Sequence, residues 1–406
     1  MRMAAALAAL LVAVPAHAQD YDGYFSSLFL VMPDVDDREG RQPVVELRTR
    51  LFTEGLFNPS DRIHLRLGAY VDTLVGHRES RAASGGAAAA VLRPLDLYAE
   101  WRSQRFDLRA GMARITWGRL DEFQPTDVVN PIDLSRFLLE GRSEARLPVA
   151  LVRARVFLPA GSTLEAIAVP VFRGGEFDQL EEETSPFRLS PAGLRDRREP
   201  GVSWKNVQGG ARFTTTSGRV DWGVSAWRGF ESFPTYTLAP VPLDPLALVI
   251  PRFIETFPRF TMVAADFETV SGPWGVRGEF GVFDGASPRS FAGGIAADRR
   301  AGSYRVAVNT IVSHADDTDV TLVGWAERTF ARETRSGRLL AVWNPADDTA
   351  FVRAIGAVSL RDNWWLEASG AWFTGEVPAA APSSSVDVLS LLGRRDFVYA
   401  RLKVHF

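Results

Sequence analysis

Asp121, Asp127, Asn130, Asp133, Arg136, Glu144 and Arg146 crowd one stretch of the chain, between "TWGRLDEF" and "RLPVALV". Carboxylates and guanidiniums at that density can line a constriction with charge, or cap and pair with one another to hold a loop in shape. The two roles are compatible. Nucleophilic chemistry would need an activated nucleophile with a base in reach. Past Ala18 the histidines are His64, His77, His314 and His405, none at a diagnostic spacing from a serine or carboxylate, and there is no Gly-x-Ser-x-Gly elbow. No catalytic residue is assigned. The run "DDTD", Asp316 to Asp319, carries hard oxygen donors but reads as a solvated acidic turn. With no cysteine in 406 residues, thiolate metal and redox sites are excluded, and neither a metal site nor a cofactor is expected.

The elements that must position these residues are strands. From Arg62 to Val75, Ile63, Leu65, Leu67, Ala69 and Val71 share one face, and His64, Arg66, Gly68, Tyr70 and Asp72 the other. That period of two marks a strand with one apolar and one polar side. Val45, Leu47 and Leu51 likewise oppose Glu46, Arg48 and Arg50, and Leu95, Leu97, Ala99 and Trp101 oppose Asp96, Tyr98 and Glu100. Trp274, Val276, Phe280 and Val282 oppose Arg277 and Glu279. Near Met112 to Arg114 the phase drifts, which predicts a bulge.

Turn signals give the order. Very short links at 103–105, 159–161, 217–219, 271–273, 299–302 and 361–363 alternate with connections that are mostly longer, at 119–148, 173–201, 229–258 and 374–395. Tight turns at one end and long loops at the other are the layout of a transmembrane antiparallel up-and-down β-barrel, here of about 18 strands (16–18) with Tyr21 to Met32 as the first. Hydrocarbon offers free N–H and C=O groups no partner, so a sheet that spans it must close. Past the first residues no apolar run is long enough for a spanning helix.

The ends agree with export to the cell outer membrane. "MRMAAALAALLVAVPAHAQD" has the basic start, apolar run and small-x-small site of a signal peptide, 1–18, leaving one barrel domain, 19–406. In "DFVYARLKVHF" the residues Val398, Ala400, Leu402, Val404 and Phe406 share a face. A terminal amphipathic strand ending in an aromatic resembles the signal read by the outer-membrane assembly machinery, one expected partner beside outer-membrane lipid. On this reading the polar strand faces line a wet interior, with Arg48, Arg50, Arg66, Glu100, Arg153, Arg155, Arg277 and Glu279 as candidate lumen residues; the plainer role for most is pairing across strands. A net charge of -3 and a pI near 6.1 give no reason to expect nucleic acid as a partner.

Within the first of these long loops the pattern changes. Asn130 can cap a helix, Pro131 suits its first position, Leu134, Phe137, Leu138 and Leu139 form an apolar stripe, and Gly141 stops it. The pattern predicts a short helix over 131–140 on the extracellular side. An apolar stripe must be buried, and the nearest surface is the inside of the barrel mouth, so loop 119–148 is a candidate constriction or lid.

The stretch Thr116 to Val156 resembles a family of Gram-negative outer-membrane β-barrel proteins of unknown function, in which a strand ending in Trp-Gly leads to an Asp, an Asp-Val-Val-Asn-Pro-x-Asp run and an acidic, Arg-containing return. Trp117, Gly118, Asp121, Asp127, Asn130, Pro131, Asp133, Glu144 and Arg146 match that pattern. Some members are encoded beside transporters of lipids or other hydrophobic compounds, so the resemblance implies transport. The expected function is a porin-like channel for a small-molecule solute or lipid. The alternatives are a structural or adhesive barrel without an open pore and, less favoured, an outer-membrane hydrolase. The apolar loop from Phe230 to Phe260, with Leu246, Leu248 and Ile250 at its centre, would fold over the mouth beside the helix and favour hydrophobic or amphipathic molecules.

Overall fold

The computed structural model describes residues 20–37, 40–80, 83–182, 185–188, 194–239, 252–285, 289–375 and 395–406. The proposed signal peptide, the centre of the 229–258 loop with Leu246, Leu248 and Ile250, and most of the 374–395 loop lie outside them.

In chain order the first strands are β1 (Asp20–Asp37), β2 (Gly40–Ser60), β3 (Ile63–Ser80), β4 (Ala83–Arg102), β5 (Phe106–Ala113), β6 (Val149–Phe157) and β7 (Thr163–Val169). Next come β8 (Leu194–Arg198), β9 (Gln208–Ser217), β10 (Val220–Phe230), β11 (Thr235–Leu238), β12 (Arg252–Thr256), β13 (Arg259–Ser271) and β14 (Trp274–Gly285). The last are β15 (Ser290–Ala301), β16 (Tyr304–His314), β17 (Thr318–Phe330), β18 (Arg335–Asn344), β19 (Thr349–Arg361), β20 (Trp364–Thr374) and β21 (Phe397–His405). All but β8, β11 and β12 join one antiparallel sheet of 18 strands, closed where β1 pairs with β21 as well as with β2. At that seam Gly23 and Phe406 exchange both backbone hydrogen bonds. No described helix is long and apolar enough to cross a membrane. Strands β13 to β20 run 10 to 13 residues each, enough for a tilted strand to cross the apolar belt.

The tight turns fall where the sequence puts them, and both ends of the barrel chain lie on that side. Gly218, Gly272 and Gly302 take left-handed φ of 64°, 59° and 60° at three of these turns, a conformation glycine adopts without strain. On the opposite side the links β14–β15, β16–β17 and β18–β19 are also short, so the large excursions are the connections 114–148, 170–207, 231–258 and the one before β21.

The two faces have the polarity of a membrane barrel. Leu47, Leu51, Val152 and Val263 point outward and are exposed, Val263 at 62%, whereas Glu46, Arg50, Asp72 and Glu100 point inward and are buried, Glu100 at 1%. Outward Trp101, Trp274 and Tyr304 stand near the short-turn end and Trp343 and Trp372 near the other, as aromatic girdles do. One alternation read from the sequence breaks at a register shift. The register slips between Leu67 and Ala69, against Leu97 and Pro94, so Leu95 joins Phe52 and Tyr70 inside rather than facing out with Leu97. The expected bulge at Met112 to Arg114 is absent; the phase drift there is the end of β5, whose pairing stays regular to Ala113.

Candidate functional site

The connection 114–148 enters the barrel. Its helix α1 (Leu134–Glu140) starts three residues later than the pattern predicts: Asp133, not Asn130, is the N-cap, its carboxylate accepting from the Arg136 amide at 3.1 Å. Asn130 has other work. Its Oδ1 accepts from Ile115 N at 2.7 Å and its Nδ2 donates to Leu147 O at 2.7 Å and Ala113 O at 3.2 Å, tying the loop's two roots together. Gly141 ends the helix as expected, and α2 (Arg142–Ala145) follows at once.

Leu134, Leu138 and Leu139 are buried in a cluster with Leu28, Leu30 and Met32 of β1 and Phe351, Phe373 and Phe397 of β19 to β21. The inner wall thus has an apolar sector, and the helix stripe covers it. Polar contacts hold the rest. Arg136 reaches Asp72 at 2.6 Å and Glu140 at 2.8 Å; Asp72 also takes Arg50 at 2.6 Å, with Arg50 stacked over Tyr70 at 3.9 Å. Glu140 continues to Arg401 at 3.1 Å, which pairs with Glu367. Arg353 donates to Leu138 O and Leu139 O at 2.9 and 2.6 Å, satisfying carbonyls that a helix end leaves free. A second inward segment, 170–182, laces onto the helix start through Leu134 N to Glu176 O and Ser135 N to Phe177 O.

The matched motif residues are the parts that fold this loop. Trp117 is buried edge-on against Trp227 and donates from Nε1 to Glu165 at 2.7 Å. A Cβ on Gly118 would lie 2.7 Å from Gln124 Cβ and 2.9 Å from Glu279 Oε2, so only glycine fits that approach. Asp127 accepts from Trp117 N and pairs with Arg142 and, at 2.7 Å, with Arg146. Asp121 pairs with Arg277 at 2.6 Å. Glu144 is the loosest member, 3.9 Å from Arg50 and partly exposed.

The candidate lumen residues all face inward, and most are paired. Arg48 meets Glu46 and Asp178, Arg66 meets Glu54, and Arg155 meets Asp107. Glu100 gathers Arg102, Arg109 and Arg153. Glu279 differs: it accepts the loop amides of Arg119, Leu120 and Thr126, as an anion at a turn of converging N–H groups. Asp72 was visible on the polar face of its strand. Tyr399 and Arg401 fall on the polar face of the terminal strand, opposite Val398 and Ala400, whereas Arg353 and Glu367 were not singled out; all four come from the far end of the chain. His64 hydrogen-bonds Asn58, and His314 hydrogen-bonds the Thr318 hydroxyl.

At the mouth, β8, β11 and β12 form a small sheet, and Phe172 packs against Phe230 and Phe257 while Phe233 packs against Phe177. Glu182, beside Arg197 at 3.1 Å, is pushed by burial up to about 7; Arg197 pulls it down, and Glu176 and Glu255 add to the rise.

No protein-family model matches the sequence, and no curated protein matches it. Solved structures do match in fold. The chain is similar to OccAB4 of Acinetobacter baumannii at 9% identity and a TM-score of 0.53, covering 97% of this chain and 99% of that one. OccAB1 of the same organism matches at 8% and 0.53, covering 96% and 97%, and OccK7 (OpdD) of Pseudomonas aeruginosa at 12% and 0.51, covering 96% and 98%. At such identities the likeness speaks for the fold alone, which is that of an outer-membrane β-barrel.

Proposed function

We propose that the protein is an outer-membrane channel whose lumen is narrowed by the inward connection 114–148, and that it passes hydrophobic or amphipathic molecules. The observation that carries the first part is the seat of α1: its leucines lie on the inner wall and its polar groups are held by Arg353, Asp72 and Arg401. A loop so fixed inside a closed barrel sets the width of whatever path remains. The family resemblance and the aromatic cluster of Phe172, Phe177, Phe230, Phe233 and Phe257 at the mouth support the second part, since apolar rings there favour solutes with apolar portions.

The test is uptake into proteoliposomes of a medium-chain acyl glycoside and of the free sugar, before and after Phe177, Phe233 and Phe257 are replaced by Ser. Uptake of the acyl compound should fall while that of the sugar holds. If sugar uptake changes and acyl uptake does not, the protein is a general diffusion porin.

A further inference from the structure

Beside the loop tip, on strands β14 to β18 and bordering the apolar seat of α1, the side chains close a ring. Asp121 pairs with Arg277 of β14, Arg277 with Asp298 of β15, and Asp298 with Arg305 of β16 at 3.5 Å. Arg305 lies 5.1 Å from the Trp325 ring of β17, Arg338 of β18 lies 5.1 Å from the same ring, and Arg338 pairs with Glu122, next to Asp121 in the chain. The strand registers put these residues in three successive inward rows: Arg277, Ala296 and Asn309; Asp298, Ala307 and Trp325; then Arg300, Arg305, Glu327 and Arg338.

Two facts define what this ring can hold. First, Asp121 Oδ2, Arg338 Nε, Asn309 Oδ1 and Trp325 Nε1 are buried without a hydrogen-bond partner in the protein, though Asn309 is only 2% and Trp325 only 6% exposed. A buried polar group left unpaired costs about 1–3 kcal/mol, so two donors and two acceptors gathered in one ring mark a place for a polar guest. Second, the charge balances. Arg277, Arg300, Arg305 and Arg338 stand with Asp121, Glu122, Asp298 and Glu327, which gives no net pull on a simple anion or cation. Half-buried Phe123, Ile311 and Leu340 stand at the edge of the apolar cluster on the same side.

Resting on the channel reading above, we propose that this ring is the narrow point of the path, where an amphipathic solute with an uncharged or dipolar head group lays its head against Asn309, Trp325 and Arg338 and its chain against Phe123 and Ile311. The route runs past the loop tip, and the sector under α1 stays sealed.

The absence of native cysteine allows a direct test. Asn309→Cys on the route and Phe397→Cys under the helix are each treated in liposomes with a membrane-impermeant thiosulfonate, and both conductance and protein mass are read. Cys at 309 should be labelled and lose about half or more of its conductance, Cys at 397 should be neither, and decyl betaine should slow labelling at 309 several-fold more than decyl sulfate. Labelling and block at 397 but not at 309, or no effect of betaine beyond that of sulfate, overturns the proposal. If untreated protein never conducts, the channel reading fails; the ring then stands as a binding site only if betaine-protected labelling at 309 persists. Heat-modifiable migration checks that each barrel has closed; if Asn309→Cys does not close, Ala296→Cys, in the same row, carries the same label.

Discussion

Arg136 of the loop helix meets Asp72 of β3 at 2.6 Å, and the same carboxylate takes Arg50 at 2.6 Å, so one buried wall residue holds both the loop and its own neighbouring strand. Removing one member of a buried pair costs about 3–5 kcal/mol, and because Asp72 keeps Arg50 the loss for Arg136→Met belongs at the low end. Amide exchange in 134–140 should rise while heat-modifiable migration is kept. Unchanged exchange would mean that the apolar seat alone holds the helix.

Asn130 serves three backbone groups at the loop's roots. Asn130→Leu leaves Ile115 N and the carbonyls of Ala113 and Leu147 without it, at about 1–3 kcal/mol for each group that finds no other partner. Limited proteolysis of the folded barrel should then cut within 114–148, where the parent protein resists. Equal resistance would show that the roots are held by other contacts.

Glu182 carries a proton in the docked loop at a pH where it would lose it in the released one, because its carboxyl is pushed up to about 7. The docked state binds more protons, so docking is most favourable in acid and weakens as pH rises from the ordinary carboxylate range through about 7. Amide exchange in 170–182, corrected for its intrinsic pH dependence, should be faster at about pH 8.5 than at about pH 5.5, and Glu182→Gln should remove the difference. A pH-independent corrected rate in the parent protein would contradict this.

Val263 stands on the outer face, midway along β13. An arginine there would meet hydrocarbon, at about 2–4 kcal/mol near the bilayer midplane, so Val263→Arg should lower the urea midpoint of the barrel in lipid. No change would place this face away from lipid.

The barrel was legible because its signal is local: a period of two survives in strands whose neighbours keep register, and it sorted Leu47 from Arg48 and Phe280 from Glu279. It failed at Leu95, where a slip set by the partner strand turns the residue inward. The helix was legible from its leucines and Gly141, but its cap was not, because Asn130 is drawn off by backbone groups on both sides of the loop while Asp133 takes the end. Within the loop the motif residues were found. The wall residues that hold other parts of the loop, Arg353 on Leu139, Arg401 on Glu140 and Arg338 on Glu122, lie more than two hundred residues on, and nothing local in β18, β19 or β21 says which loop atoms they meet.

On the proposed function, α1 inside the barrel narrows a conducting lumen. Single-channel conductance in planar bilayers, for the full protein and for one lacking Pro131 to Glu140, tests it most directly. Stepwise conductance that rises on deletion is the predicted result. Silence from both proteins, each showing the heat-modifiable migration of a closed barrel, would contradict it and leave a structural barrel without an open pore.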